Sequence, residues 1–220
     1  MKGRPRITIT CAQSLDGRIA TRTGKSRWIS GDETLKVAHE LRNEHDAILV
    51  GIGTVLADNP QLTCRLPGGR NPHRVVLDSR LRTPLDSHIV TQAGDVPTTI
   101  ISNGTSPVEL REPLEAAGVH VVALRDEGDG LDLTSVMSYL GGHGIATLLV
   151  EGGSRVITSC LAARIVDRMV LVSAPLVIGT GTEAVGDLGV TELSEAIRGR
   201  TRSVRIAGND IVWEIDFGNE

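Results

Sequence analysis

The sequence predicts an α/β fold on a mixed sheet, with helices covering both sheet faces in three layers. Three observations carry this. Short runs rich in Val, Ile and Leu recur along the 220 residues, separated by stretches of helical periodicity. Most of these runs are continuously apolar rather than alternating, the pattern of strands covered on both faces. The last two runs alternate more, as antiparallel strands do, so the sheet combines both pairings.

Each run is bounded by turn or helix signals. Strands are expected at 7–11, 47–50, 74–77, 98–101, 119–123, 147–150 and 169–172. Two more, 201–206 and 211–215, are joined through Gly208-Asn209, a hairpin turn. Ser30-Gly31-Asp32-Glu33 reads as a capping box, because hydroxyl and carboxylate can each satisfy an orphan amide; Leu35, Ala38 and Leu41 then share the inner face of a helix. Pro107 opens a second helix, with Leu110, Leu114 and Ala117 inward and Gly118 ending it. Asp132 caps a third, carrying Leu133, Val136 and Leu140, and Ser154 a fourth, carrying Ile157 and Leu161. Residues 125–130 are a short acidic, glycine-containing loop and the one candidate linker. Composition shifts nowhere else and no repeat is found, so residues 1–220 are expected to form a single domain.

Composition removes several function classes. Hydrophobic residues make up 40% and charged residues 23%, a globular balance, and the net charge of −4 offers no general attraction to nucleic acid or to an anionic membrane. Aromatic residues are limited to Trp28, Tyr139, Trp213 and Phe217, too few for a base-stacking platform, so no nucleic-acid partner is expected. Cys11, Cys64 and Cys160 are odd in number and far apart, which suits a reducing cytoplasm; no histidine stands near them at zinc spacing, so no metal is expected. No apolar run approaches the ~18 residues that span a bilayer, so no membrane partner is expected.

Four segments carry candidate chemistry. Val50-Gly51-Ile52-Gly53-Thr54 follows a strand and opens a short helix, where bare backbone lets amides approach a phosphate. The dinucleotide fingerprint would need a third glycine where Leu56 stands, and Asp78 lies 27 positions beyond Gly51 rather than ~20, so a standard Rossmann site is disfavoured. A plain turn and a cofactor contact both fit this segment. Val150-Glu151-Gly152-Gly153-Ser154 repeats the arrangement, with Glu151 either facing a ligand or solvated before a tight helix start. Ser79 and Arg80, just past another strand, suit a 2′-phosphate on adenosine ribose, although loop arginines are commonly only solvated. Asp16-Gly17 is a turn signal by itself, and Trp28, within Ser26-Arg27-Trp28-Ile29-Ser30, serves either as a core anchor or as a cleft wall.

Read together, these strings resemble one family. Ser14-Leu15-Asp16-Gly17-Arg18, Ser26-Arg27-Trp28-Ile29-Ser30, the stretch from Gly51 to Thr63 containing Thr54-Val55-Leu56-Ala57-Asp58-Asn59-Pro60, then Asn71 to Ser79, Val150-Glu151-Gly152-Gly153 and Ala174 to Gly179 follow in order the reductase domain of the bifunctional riboflavin-biosynthesis deaminase-reductases. The deaminase zinc signature, H-x-E with P-C-x-x-C, is absent, so no deaminase domain is expected and the chain is most similar to the stand-alone diaminopyrimidine reductases.

The resemblance implies a dihydrofolate-reductase-like fold, a homodimer, and NADPH as cofactor. Ala12, Trp28, Thr54, Asp58 and Ser79 match cofactor contacts, with Arg80 added beside Ser79; Gly153, Ser154, Arg155 and Val156, in a segment running to Ser159, match them too. Ser26, Arg42, Leu62 and Arg65 match substrate contacts, and Glu151 matches an acid beside the substrate. Thr10 stands where bacterial bifunctional members often carry lysine, so the first strand supplies no ammonium here.

The implied reaction turns a ribosylamino sugar into a ribitylamino chain on a phosphorylated pyrimidine: the furanose opens to an imine at C1′, which takes a hydride from NADPH. Arg42 and Arg65 would hold the 5′-phosphate, Ser26 would add a hydroxyl, and the proton for ring opening would come from Asp16, Glu151 or water. Two rivals stay open. One is a reductase of another pterin-like or secondary-metabolite substrate on the same scaffold; the other is a silent nucleotide-binding module.

Overall fold

The computed structural model describes residues 3–124 and 131–218. Along the chain the elements run β1 (Arg6–Ser14), β2 (Arg18–Thr21), α1 (Asp32–Glu44), β3 (Ala47–Gly51), α2 (Ile52–Asp58), β4 (His73–Leu77), α3 (His88–Thr91) and β5 (Thr98–Ser102). They continue as α4 (Val108–Ala116), β6 (His120–Ala123), α5 (Leu133–Gly142), β7 (Thr147–Val150), α6 (Ser154–Ala162), β8 (Arg168–Ala174), β9 (Gly181–Glu183), β10 (Arg200–Ala207) and β11 (Asp210–Asp216). The α/β class and the mixed sheet are as the sequence predicts. No helix among the described residues is long and apolar enough to cross a membrane.

The chain divides into two compact units, each assembled from separated segments: Met1–Pro5 with Glu40–Leu149, and Arg6–His39 with Val150–Glu220. In the first unit the strand order is β7-β3-β4-β5-β6, and β3 through β6 pair in parallel. Ile48, Leu49, Val50, Val75, Val76, Ile100 and Ile101 are all fully buried along these strands, which explains their unbroken apolar runs. Asp46, just before β3, receives the Ala146 and Thr147 amides and the Thr147 hydroxyl on Oδ2 at 2.9–3.1 Å, tying β3 to the start of β7.

In the second unit the order is β10-β11-β8-β1; β1 and β8 are parallel, while β11 is antiparallel to both its neighbours. Gly208, at φ +61°, makes the expected tight turn between β10 and β11. A separate antiparallel pair, β2 with β9, escapes the sequence reading because each strand is only three or four residues long. The single-turn helix α3 escapes it for the same reason.

Several local expectations need correction. Helix α1 starts at Asp32, so Ser30 sits one place too early to close a capping box; the Gly31 amide donates instead to Asp210 Oδ2 at 2.8 Å. The Thr34 hydroxyl lies 2.9 Å from the same carboxylate oxygen, and so the inner face is Thr34, Val37 and Leu41, with Leu35 exposed. A polar residue is accepted inside because Asp210 satisfies it. On α4, Leu114 is buried, but Leu110 and Ala117 are exposed. Helix α6 begins at Ser154 itself, after Gly153, without a side-chain cap. Asp132 caps α5 as expected, accepting the Thr134 and Ser135 amides, and Gly118 ends α4 at φ +89°. The candidate linker at 125–130 lies outside the described residues.

The largest buried side chain belongs to Arg74 on β4. Its Nε donates to Thr98 Oγ1 (2.9 Å) and Nη2 to the Gln92 and Val96 carbonyls (2.9 and 3.0 Å), while Nη1 reaches the Gln61 and His88 carbonyls at 3.3 and 3.4 Å. Burial lowers its pKa to about 10, which leaves it charged at neutral pH. One guanidinium thus closes the end of α3 and fixes the loop entering Leu62. Arg74→Met should fill the volume but strand these carbonyls, lowering unfolding free energy by about 3 kcal/mol or more in urea titration.

Candidate active site

In the first unit, the cofactor candidates meet at one edge of the sheet. Gly51 stands opposite Leu77 in the β3–β4 register, so the start of α2 and the loop after β4 emerge side by side at the carboxyl ends of adjacent strands. That edge is where open α/β sheets bind ligands. Thr54 and Asp58 are one turn apart on α2, Thr54 partly and Asp58 fully exposed. Gly51 forms the helix start with extended backbone and no side-chain cap. A Cβ on Gly53 would meet nothing within 4 Å, so packing within the chain does not require glycine there. Ser79 and Arg80 occupy the neighbouring loop, Ser79 half-buried and Arg80 exposed.

The substrate candidates of this unit also converge. Arg42, in the last turn of α1, donates from Nη1 to the Thr63 carbonyl at 3.0 Å. Leu62 precedes that residue, buried and in the left-handed region at φ +53°, and Arg65 follows it, exposed. Leu62 is thus buried in a conformation unfavourable to a branched side chain, next to the Thr63 carbonyl that Arg42 holds.

In the second unit, Trp28 is no core anchor: its side chain is 80% exposed and its φ is +71°. A non-glycine residue held in this region marks a constrained loop. The ring borders a cleft of about 530 Å³ lined further by Ile29–Glu33, Ala174, Pro175, Leu176, Asn209 and Asp210. Ala12 lies on β1 opposite Val172, and Ser26 in the loop before Trp28. Glu151 is half-buried just past β7; Gly152 follows at φ +99°, and Gly153 to Val156 open α6. Thr10 is buried and its hydroxyl donates to the Val170 carbonyl at 2.9 Å, so it points its proton into the sheet.

Asp16 stands differently from its expected role. Its Oδ1 accepts the Ser14 hydroxyl (2.6 Å) and the Ile178 amide (3.0 Å), and its Oδ2 the Gly179 amide (2.6 Å). Arg18 reinforces the junction, with Nε to the Gly179 carbonyl and Nη1 to Glu183. The Ser14 hydroxyl and then the Ile178 amide hold the Asp16 carboxyl down to about 2. A carboxylate ionised that far has no proton to give near neutrality. It latches the 176–179 loop instead. Neither this latch nor Asp210 was legible in the chain, since each joins segments more than 160 residues apart.

The fold is that of the dihydrofolate-reductase class: the dihydrofolate reductase from Enterococcus faecalis, solved with NADP(H) and RAB-propyl, superposes with a TM-score of 0.51 over 96% of this chain and 95% of that one, at 16% identity. Within that class the chain belongs to the RibD C-terminal domain family, whose model matches residues 5–213. It is 40% identical over 218 residues to the 2,5-diamino-6-ribosylamino-4(3H)-pyrimidinone 5′-phosphate reductase of Methanothermobacter thermautotrophicus, covering 96% of this chain and 97% of that protein. It is also 40% identical over 210 residues to the riboflavin biosynthesis protein RibD of Aquifex aeolicus, where it covers 95% of this chain but only 57% of the relative's length. A Thermotoga maritima deaminase/5-amino-6-(5-phosphoribosylamino)uracil reductase structure matches with a TM-score of 0.81 and 30% identity, over 98% of this chain and 57% of that one. The chain thus spans little more than half the length of its RibD relatives.

If Asp16 is a latch, Asp16→Asn should weaken the 176–179 loop and lower activity while leaving the shape of the pH–rate profile unchanged over about pH 5–9. Loss of a limb of that profile would instead make Asp16 the acid. Because its folded pKa is depressed, the stability it contributes is present above about pH 4 and fades as pH falls toward 2; acid unfolding of Asp16→Asn should lack that component.

Proposed function

We propose that this chain is a reductase of riboflavin biosynthesis that uses NADPH to convert the ribosyl group of a ribosylaminopyrimidinone 5′-phosphate to the ribityl chain. The observation that carries the reading is the 40% identity to the Methanothermobacter reductase over 96% of this chain. The two units interleave in sequence, so neither is a contiguous segment, and we take residues 1–220 as one catalytic domain. The three cysteines, none of them in a disulfide among the described residues, fit a cytoplasmic enzyme.

The residues present suit the cofactor. The uncapped start of α6 at Gly153-Ser154, with Arg155 and Val156 in the same turn, offers backbone amides to a pyrophosphate. Thr54 and Asp58, beside the open space at Gly53, supply further polar contacts, and Ser79 and Arg80 take the adenosine 2′-phosphate. Ala12 and Trp28 contribute small and aromatic surface. When bound, NADPH supplies the hydride.

The chain's own groups then bind, orient and move protons. Arg42 and Arg65 hold the 5′-phosphate by charge-assisted bonds, Ser26 adds a hydroxyl, and Leu62 contributes an apolar contact. Arg42 is already oriented by the Thr63 carbonyl. Glu151 orients the sugar or pyrimidine, and the proton on O4′ comes from it or from a water it holds.

A homodimer is supported by the second unit's sheet. Val204 faces Trp213 and Ile206 faces Ile211 across the β10–β11 pair, so four apolar side chains share one face, and they are 59%, 40%, 78% and 47% exposed respectively. Such a contiguous apolar surface is normally covered by a partner.

Purified protein mixed with the pyrimidine phosphate should oxidise NADPH, read as loss of nicotinamide absorbance; no oxidation with either the diamino or the deaminated substrate overturns the assignment. Arg65→Ala should raise KM roughly 10- to 100-fold with a smaller change in kcat, since a phosphate dianion loses a charged partner worth about 1.5–3 kcal/mol. Ile206→Arg should convert the dimer to monomer in light scattering; an unaltered mass removes this face from the interface.

A further inference from the structure

Asp78 presents an unusual combination. It follows β4 directly, its side chain is completely buried, and its Oδ2 accepts both the Thr83 amide and the Thr83 hydroxyl at 2.8 Å. Its Oδ1 is buried with no hydrogen-bond partner among the described residues. A buried acceptor left unmatched costs free energy, so the carboxylate is held there for something other than stability. What it holds is the turn 78–83. The Leu81 amide donates to the Asp78 carbonyl at 3.2 Å, and Leu81 itself is buried in the left-handed region at φ +49°. With Leu81 drawn inward, its two neighbours, Arg80 and Arg82, are both exposed, and neither has an ion-pair partner among the described residues. Two uncompensated guanidiniums two residues apart form a local concentration of positive charge on a chain of net charge −4.

Position matters equally. In nucleotide-binding α/β folds an acid near the end of a neighbouring strand accepts hydrogen bonds from the ribose hydroxyls, which favours the unphosphorylated cofactor and repels a 2′-phosphate. Asp78 is the one acid in this turn, and its hydrogen bonds to Thr83 turn it into the protein.

We infer that Asp78 is a positioning residue for cofactor choice: by clasping Thr83 it withdraws its own charge from the adenosine ribose and turns Arg80 and Arg82 outward together as the acceptor of a 2′-phosphate. This deepens the cofactor reading above and rests on it. Arg82 is a contact that Ser79 and Arg80 alone do not imply, and Asp78 acts without touching the ligand.

The test compares binding of 2′,5′-ADP with that of 5′-AMP by calorimetry, together with NADPH against NADH by fluorescence titration, so no turnover is required. Wild-type protein should bind 2′,5′-ADP at least roughly tenfold more tightly than 5′-AMP. Arg82→Ala should cut that preference several-fold with 5′-AMP affinity unchanged. Asp78→Leu, isosteric but without acceptors, and the milder Thr83→Val should each bring the two affinities toward equality, while Thr83→Ser should keep the wild-type ratio. Thr83→Val decides the matter should Asp78→Leu fail to fold. A preference that survives Thr83→Val or Arg82→Ala, even with a lowered melting temperature, overturns the inference and leaves the reductase reading intact. Wild-type protein that binds neither NADPH nor NADH overturns both.

Discussion

Loops at the strand ends are held here by carboxylates that accept hydrogen bonds from backbone amides far away in sequence. Loop amides have no ladder to satisfy them, so a loop that must keep one shape needs a side-chain acceptor. Asp16 takes the amides of Ile178 and Gly179, Asp46 those of Ala146 and Thr147, and Asp210 that of Gly31. Asp78 does the same over a shorter span with Thr83. Arg74 is the mirror case, a buried donor satisfying carbonyls at the end of α3 and in the preceding loops. The apolar strands supply most of the driving force for folding, but these charged groups decide where the loops stand.

That division of labour explains why the candidate chemistry sits where it does. In the first unit the strands deliver Gly51, Ser79 and their neighbours to one edge, and Arg42 holds the loop after Leu62 through the Thr63 carbonyl. In the second unit, the 174–179 loop lines the Trp28 cleft and is latched by Asp16. A reductase mostly needs placement, because the cofactor carries the chemistry. Loops fixed by side-chain hydrogen bonds to their backbone amides suit that need.

Much of this was legible in the chain. The apolar runs located the long strands, Asp132 and Gly118 marked helix ends, and the Gly208-Asn209 turn joined the last two strands as read. The motifs that carry the family resemblance lie in order along the sequence, and the resemblance rather than any periodicity pointed to Trp28, Arg42 and Arg65. The misses share a cause. Thr34 faces inward on α1 because Asp210 satisfies it, and Asp16-Gly17 signals a turn without revealing the amides 162 positions on that Asp16 accepts.

The sequence by itself determined the α/β class, the order of most elements and the family, because periodicity, caps and motif strings are local properties of the chain. The tertiary structure alone decided which charged groups are satisfied and which remain exposed. Whether an aspartate is a latch or a buried clasp depends on amides and hydroxyls supplied by other segments, and that pairing sets the direction its loop faces.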